Sequence, residues 1–187
     1  MINLKNPGKT TDSLQKFLLF CLFTQRMNAE DASQRLDKFL SWSCEGSRLA
    51  FRIPMTPFQK VRYLIRTCNL TRALLECELG PLGRFEQALP YVCELAVYTA
   101  TLRDLERIPG IGPKTSRMFL MFGRGEKHDH VILDQHILDW LARRGYRVPA
   151  KVSGEQYTRL ETAFVREANS MGILPGKLDE AILLSMA

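Results

Sequence analysis

The chain lacks a long apolar segment. Its longest fully apolar run, Phe17 to Phe23, is seven residues, against the roughly 20 that a membrane helix needs. That run is read as a buried helix. No small-residue cleavage site follows it, so the N-terminal region does not resemble a secretion signal, and an intracellular, cytoplasmic protein without membrane contact is expected. Cysteine is sparse and unpatterned. The five thiols, Cys21, Cys44, Cys68, Cys77 and Cys93, are odd in number and none falls in a CxxC pair. This argues against a zinc site, an iron–sulfur cluster and a disulfide framework, and leaves buried, reduced thiols as the expectation. No metal and no cofactor is expected. Repeats and low-complexity stretches are missing, and alternating strand patterns nearly so.

What is present is an ordinary globular composition, 45% hydrophobic and 25% charged. That is enough apolar material for one large domain or a compact body of two lobes. Acid is the minority charge: 26 Lys and Arg stand against 20 Asp and Glu, a net charge of +6. A basic excess favours an anionic partner, of which nucleic acid is the commonest.

Helix punctuation is frequent. Asp12 with Gln15 opens a helix to about Phe23, and Asn28 with Asp31 opens a second through Leu40. Trp42 to Pro54 reads as a loop, or one strand at most. Thr56-Pro57-Phe58-Gln59 supplies a cap, a proline at the first helical position and the reciprocal Gln. Further helices are expected over Arg84–Ala96, Thr101–Ile108, Pro113–Gly123 and Asp134–Arg144, over Ser153–Ala168 behind a Ser153-x-x-Gln156 capping box, and from Gly176 onward. Eight or nine helices make an all-α protein. His128-Asp129-His130 has no further ligand pattern around it and reads as a solvated polar turn.

The most informative stretch is Leu105-Glu106-Arg107-Ile108-Pro109-Gly110-Ile111-Gly112-Pro113-Lys114-Thr115-Ser116. A tight Pro-Gly-Ile-Gly turn joins two helices. Gly110 and Gly112 remove side chains so that backbone N–H groups can face outward, Ile111 plugs the turn, and Pro113 opens the second helix where its missing N–H costs nothing. Bare amides beside a helix start can grip a phosphate without reading sequence. Twenty residues beyond Lys114, within Val131-Ile132-Leu133-Asp134-Gln135-His136-Ile137-Leu138, Asp134 sits at the next helix start.

The pairing of Lys114 behind the hairpin with Asp134 resembles the helix-hairpin-helix base-excision DNA glycosylase superfamily. Within it, the chain is most similar to the small 8-oxoguanine DNA glycosylase/lyases known mainly from archaea. Phe20-Cys21-Leu22-Phe23-Thr24 looks like that branch's early helix, and Leu133-Asp134-Gln135-His136-Ile137-Leu138 like its Asp-x-His-Ile-Leu segment. Tyr157-Thr158-Arg159-Leu160-Glu161 and Leu178-Asp179-Glu180-Ala181-Ile182 look like its two terminal helices. The resemblance implies a two-lobed all-α protein with a cleft between the lobes. Residues 28–127 would form one lobe, carrying the hairpin and Lys114. Residues 1–27 plus 128–187 would form the other, carrying Asp134.

The implied chemistry suits both residues. Cleaving a damaged base from deoxyribose develops positive charge on the sugar, which a carboxylate such as Asp134 stabilises. The Lys114 amine would attack C1′ and form an imine, from which the 3′ phosphate is eliminated. Lysine holds only about one free base in 10³ at neutral pH, and a helix N-terminus disfavours the ammonium. His136 either braces Asp134 or packs. The expected partner is double-stranded DNA with a damaged base, bound by a nucleoid-associated monomer. Gly110, Ile111 and Gly112 would hold the backbone, Gln25 or Arg26 would fill the gap left by the expelled base, and Arg117 would join a basic surface with Lys60, Arg62 and Arg66. The alternatives are a non-enzymatic hairpin DNA-binding protein and a glycosylase for another lesion, such as thymine glycol.

Overall fold

The computed structural model describes residues 10–25, 27–43, 54–126 and 130–185, the side chains of 180, 183 and 185 excepted. All regular structure among them is helical: α1 (Thr11–Phe23), α2 (Ala29–Ser41), α3 (Pro57–Arg66), α4 (Leu70–Glu76), α5 (Leu82–Val92), α6 (Leu102–Glu106), α7 (Pro113–Met118), α8 (Gln135–Arg143), α9 (Glu155–Ser170) and α10 (Pro175–Ser185). A π-helical turn, Phe119–Arg124, prolongs α7.

Local chemistry sets the helix starts. The Thr10 hydroxyl accepts from Ser13 N–H at 3.2 Å, so α1 begins just before the expected Asp12. Asn28 accepts from Asp31 N–H at 2.8 Å. The Thr56–Gln59 capping box closes in both directions, and a second box, Thr101–Asp104, opens α6. The hydroxyl and N–H of Thr101 hold the Asp104 carboxyl below its usual pKa. The expected Ser153 box does not form. Gly154, at φ +54°, is the cap of α9 instead, and Ser153 contributes only its carbonyl, to Gln156 N–H at 3.2 Å.

Packing divides the chain into two compact units, Met1–Ile111 and Gly112–Ala187. In the first, α1 is apolar on every face from Phe17 onward, with Leu14 and all of Phe17 to Phe23 buried. A helix of that kind must lie at the centre of a bundle, and α1 packs against α2 and α3. Phe23 meets Phe39 and Phe85 edge-on, with ring centroids 5.7 and 4.9 Å apart. This places the N-terminal helix with α2–α6, a division different from the one expected at residues 27 and 127. In the second unit α8, α9 and α10 enclose Val131, Leu133, Ile137, Leu141, Leu160, Phe164, Leu178 and Ile182.

Lys60, expected on a basic surface, is buried, and its ammonium donates to the Trp42 carbonyl just past the end of α2. Burial lowers its pKa. Cys21, Cys77 and Cys93 are buried and Cys68 is exposed. The expected 42–54 loop falls largely, and Cys44 wholly, outside the described residues. No helix of the described residues is long and apolar enough to cross a membrane.

Candidate active site

The Pro-Gly-Ile-Gly turn runs from the end of the first unit into the start of the second. Arg107 ends α6, and Ile111 N–H closes the turn onto the Ile108 carbonyl at 3.0 Å. Ile108 and Ile111 are both buried, so the turn is plugged as expected. The two glycines differ in kind. Gly110 stands at φ +89°, and a Cβ there would come within 2.8 Å of the Arg84 Cγ atom. Its absence is required by the fold. Gly112 has φ −98° and ψ 178°, which any residue adopts, and a Cβ there would meet nothing within 4 Å. The fold itself gives no reason for that glycine. What it leaves is open space beside the first turn of α7.

Gln25 is tied to this turn. Its Nε2 donates to the Gly110 carbonyl at 2.7 Å, and its Oε1 accepts from an Arg84 guanidinium nitrogen at 2.9 Å. The amide thus links the hairpin to Arg84 of α5 from just past the end of α1. Arg26 lies outside the described residues.

Lys114 is the second residue of α7 and is exposed. No side chain caps this helix, and Pro113 has no N–H, so the amides of Lys114 and Thr115 lack helical partners. Asp134 caps α8, with its Oδ1 accepting from Ile137 N–H at 3.0 Å. The carboxylate is thus braced by its own helix, and His136 is half-buried one turn inside it. Lys114 and Asp134 both belong to the Gly112–Ala187 unit.

Arg117 corrects the sequence reading. It is not a surface cation: it is 2% exposed, and its guanidinium forms a bidentate pair with Glu161, Nε to Oε1 at 2.8 Å and an NH2 nitrogen to Oε2 at 2.5 Å. It also donates to the Pro113 carbonyl at 3.2 Å and lies 4.5 Å from the centre of the Tyr157 ring. A guanidinium so enclosed offers no donor to a DNA phosphate. The i to i+4 step from Pro113 puts Arg117 on the inward face of α7.

In the sequence, Tyr157 and Glu161 stand out only as part of a terminal helix, by the i, i+4 spacing on α9 that puts both on one face. Of the expected His128-Asp129-His130 turn, only His130 is described, 3.5 Å from Glu126. No cluster of three His, Cys, Asp or Glu able to hold a metal occurs among the described residues.

No protein-family model and no solved structure gives a significant match to the chain. Among curated proteins, it is similar to the 8-oxoguanine DNA glycosylase/AP lyase of Thermoplasma volcanium. The two are 29% identical over 179 residues, covering 91% of this chain and 78% of the relative. The chain is therefore similar, along nearly its whole length, to a protein of the archaeal 8-oxoguanine glycosylase/lyase branch that its hairpin and Asp134 segment resemble.

Proposed function

We propose that this chain is a base-excision DNA glycosylase with AP-lyase activity, acting on an oxidised base, 8-oxoguanine first among them. The observation that carries the reading is a similarity over 91% of the chain to a protein named 8-oxoguanine DNA glycosylase/AP lyase, in a chain with Lys114 just behind the hairpin and Asp134 at the start of α8. The arrangement supplies what the chemistry needs. Asp134 is an anion held at a fixed helix start, suited to stabilise positive charge on the sugar as the base departs. Lys114 is a reachable primary amine on the first turn of α7. Its attack on C1′ forms the imine as the base leaves, and loss of a C2′ proton then expels the 3′ phosphate.

The open space at Gly112 supports the grip on DNA. A phosphate can approach the amides of the turn where any larger residue would stand in its way. Gln25 supports this grip by holding the turn, since one end of its amide donates to the Gly110 carbonyl and the other accepts from Arg84 of α5. That leaves Arg26 as the proposed residue for the vacated base position.

The test is strand cleavage on end-labelled duplexes carrying 8-oxoguanine opposite cytosine, thymine glycol, an abasic site or no lesion. Cleavage of the 8-oxoguanine and abasic duplexes, lost in Lys114→Gln with binding retained, is expected. Cleavage of the abasic or thymine-glycol duplex alone would keep the lyase and discard the substrate. Binding without any cleavage would leave a hairpin DNA-binding protein.

A further inference from the structure

The segment leading into Asp134 has no regular secondary structure, and no sheet among the described residues pairs it. Its polar groups must find partners elsewhere, and they find them on α9. Val131 N–H donates to Glu161 Oε1 at 2.9 Å. Leu133 N–H donates to the Tyr157 hydroxyl at 2.8 Å, and that hydroxyl donates in turn to the Val131 carbonyl at 3.1 Å. Asp134 N–H then closes onto the Ile132 carbonyl at 2.8 Å, and the Asp134 carboxylate takes Ile137 N–H. Two side chains of one helix thus fix the three residues that precede the carboxylate.

The same two side chains hold α7. Glu161 takes both bonds of the Arg117 fork, and the Tyr157 ring lies under the guanidinium. Arg117 itself reaches back to the Pro113 carbonyl, the residue before Lys114. The ion pair is buried, with 3% of the Arg117 side chain and 12% of the Glu161 side chain exposed.

We propose that Arg117, Glu161 and Tyr157 form a positioning cluster that sets the Lys114-bearing turn of α7 and the Asp134-bearing segment in one fixed register. None of the three touches the reacting atoms. They act through the two residues that do, so this inference rests on the glycosylase/lyase reading for its catalytic consequence. The cluster separates the two functions. The Tyr157 hydroxyl bonds Leu133 N–H and the Val131 carbonyl of the Asp134 segment, whereas Arg117 anchors α7. A misplacement of about 1 Å at a reacting group can cost up to about a hundredfold in rate, so partial release of one segment is expected to cost about tenfold.

The experiment compares Tyr157→Phe, Arg117→Lys and a control, Tyr146→Phe. The control removes a hydroxyl of the same type, which donates to Glu167 on α9 at 2.6 Å, away from the Asp134 segment. Two readouts are taken: amide exchange at Leu133 and Ile137, and single-turnover rates of base removal and of β-elimination at a preformed abasic site. Tyr157→Phe is expected to speed exchange at both amides. It should slow base removal about tenfold and change β-elimination less than about threefold, with DNA affinity unchanged. Arg117→Lys is expected to slow both steps. Tyr146→Phe should alter neither the exchange nor the rates, whatever it does to melting temperature.

Protected Leu133 and Ile137 amides in Tyr157→Phe would overturn the proposal, as would equal rate losses in Tyr146→Phe. If the wild type removes no base from any lesion, the functional reading falls. The exchange data then still decide whether Tyr157 positions Asp134.

Discussion

The buried Arg117–Glu161 pair makes a quantitative prediction about folding. Removing one partner of such a pair leaves an uncompensated charge in the core, at a cost of about 3–5 kcal/mol. The pair is nearly inaccessible, with side-chain exposures of 3% and 12%, so little of that cost is relieved by water. In Glu161→Gln the amide oxygen can still accept from Val131 N–H, and the cost should sit near the low end, about 3 kcal/mol. In Arg117→Met the carboxylate keeps the Val131 bond and loses the guanidinium, again at about 3 kcal/mol. The double variant has no unpaired charge, retains an acceptor for Val131, and replaces the guanidinium with an apolar chain of similar length. Its expected cost is about 1–2 kcal/mol, less than either single change. Urea unfolding followed by circular dichroism measures this directly. With a slope of about 2 kcal/mol per M, each single variant should lower the midpoint by about 1.5 M and the double variant by less than about 1 M. Repeating the series in about 0.5 M salt should change little, because a buried pair is weakly screened. A double variant that costs the sum of the two singles would refute the reasoning, as would single variants that cost under about 0.5 kcal/mol.

Other predictions follow from particular residues. Gly110→Ala should lose about 1–3 kcal/mol, since the new Cβ sits at φ +89° and 2.8 Å from Arg84 Cγ. Gly112→Ala, where a Cβ meets nothing, should melt within a degree or two of the wild type yet bind lesion duplex more weakly by fluorescence anisotropy; unchanged affinity would remove Gly112 from the DNA grip. Burial pushes the Cys93 thiol up to about 12 from 9.0. Folding therefore opposes its ionisation: its contribution to stability is complete below pH 9 and is lost as pH rises through about 12. Iodoacetamide labelling at pH 8 with peptide mapping should mark Cys68 well before Cys21, Cys77 or Cys93, and equal labelling of Cys93 and Cys68 would contradict the packing.

The parts of the fold that were legible in the sequence are those written in local chemistry. The caps at Asn28, Thr56 and Asp134 stand where the sequence puts them, because each needs only a side chain within three residues of the amide that it satisfies. Helix α4 was not legible. It is bounded by Cys68 and Glu78, two non-glycine residues at φ +55° and +56°, so the usual glycine signal of a chain reversal is missing at both ends. The capping box at Ser153 failed for a related reason: Gly154 takes a positive φ that turns the chain before the Ser153 side chain can reach the helix.

At the candidate site, the hairpin and the helix starts that carry Lys114 and Asp134 were visible as short motifs. Their support was not. Arg117 meets Glu161 across 44 residues, and no local pattern distinguishes a basic residue turned inward onto a distant carboxylate from one turned toward DNA. Gln25 stood out in the sequence as a candidate to fill the vacated base position and not as a brace of the hairpin, because its partner Gly110 lies 85 residues away.

The central claim is that Lys114 supplies the amine. It is tested most directly by trapping the wild-type protein on an 8-oxoguanine duplex with borohydride, digesting the adduct and locating the modified residue by mass spectrometry. Reduction of the imine should leave the deoxyribose remnant on the peptide that contains Lys114, and Lys114→Gln should yield no adduct. A remnant on any other lysine, the buried Lys60 included, or an undiminished yield in Lys114→Gln, would contradict the account.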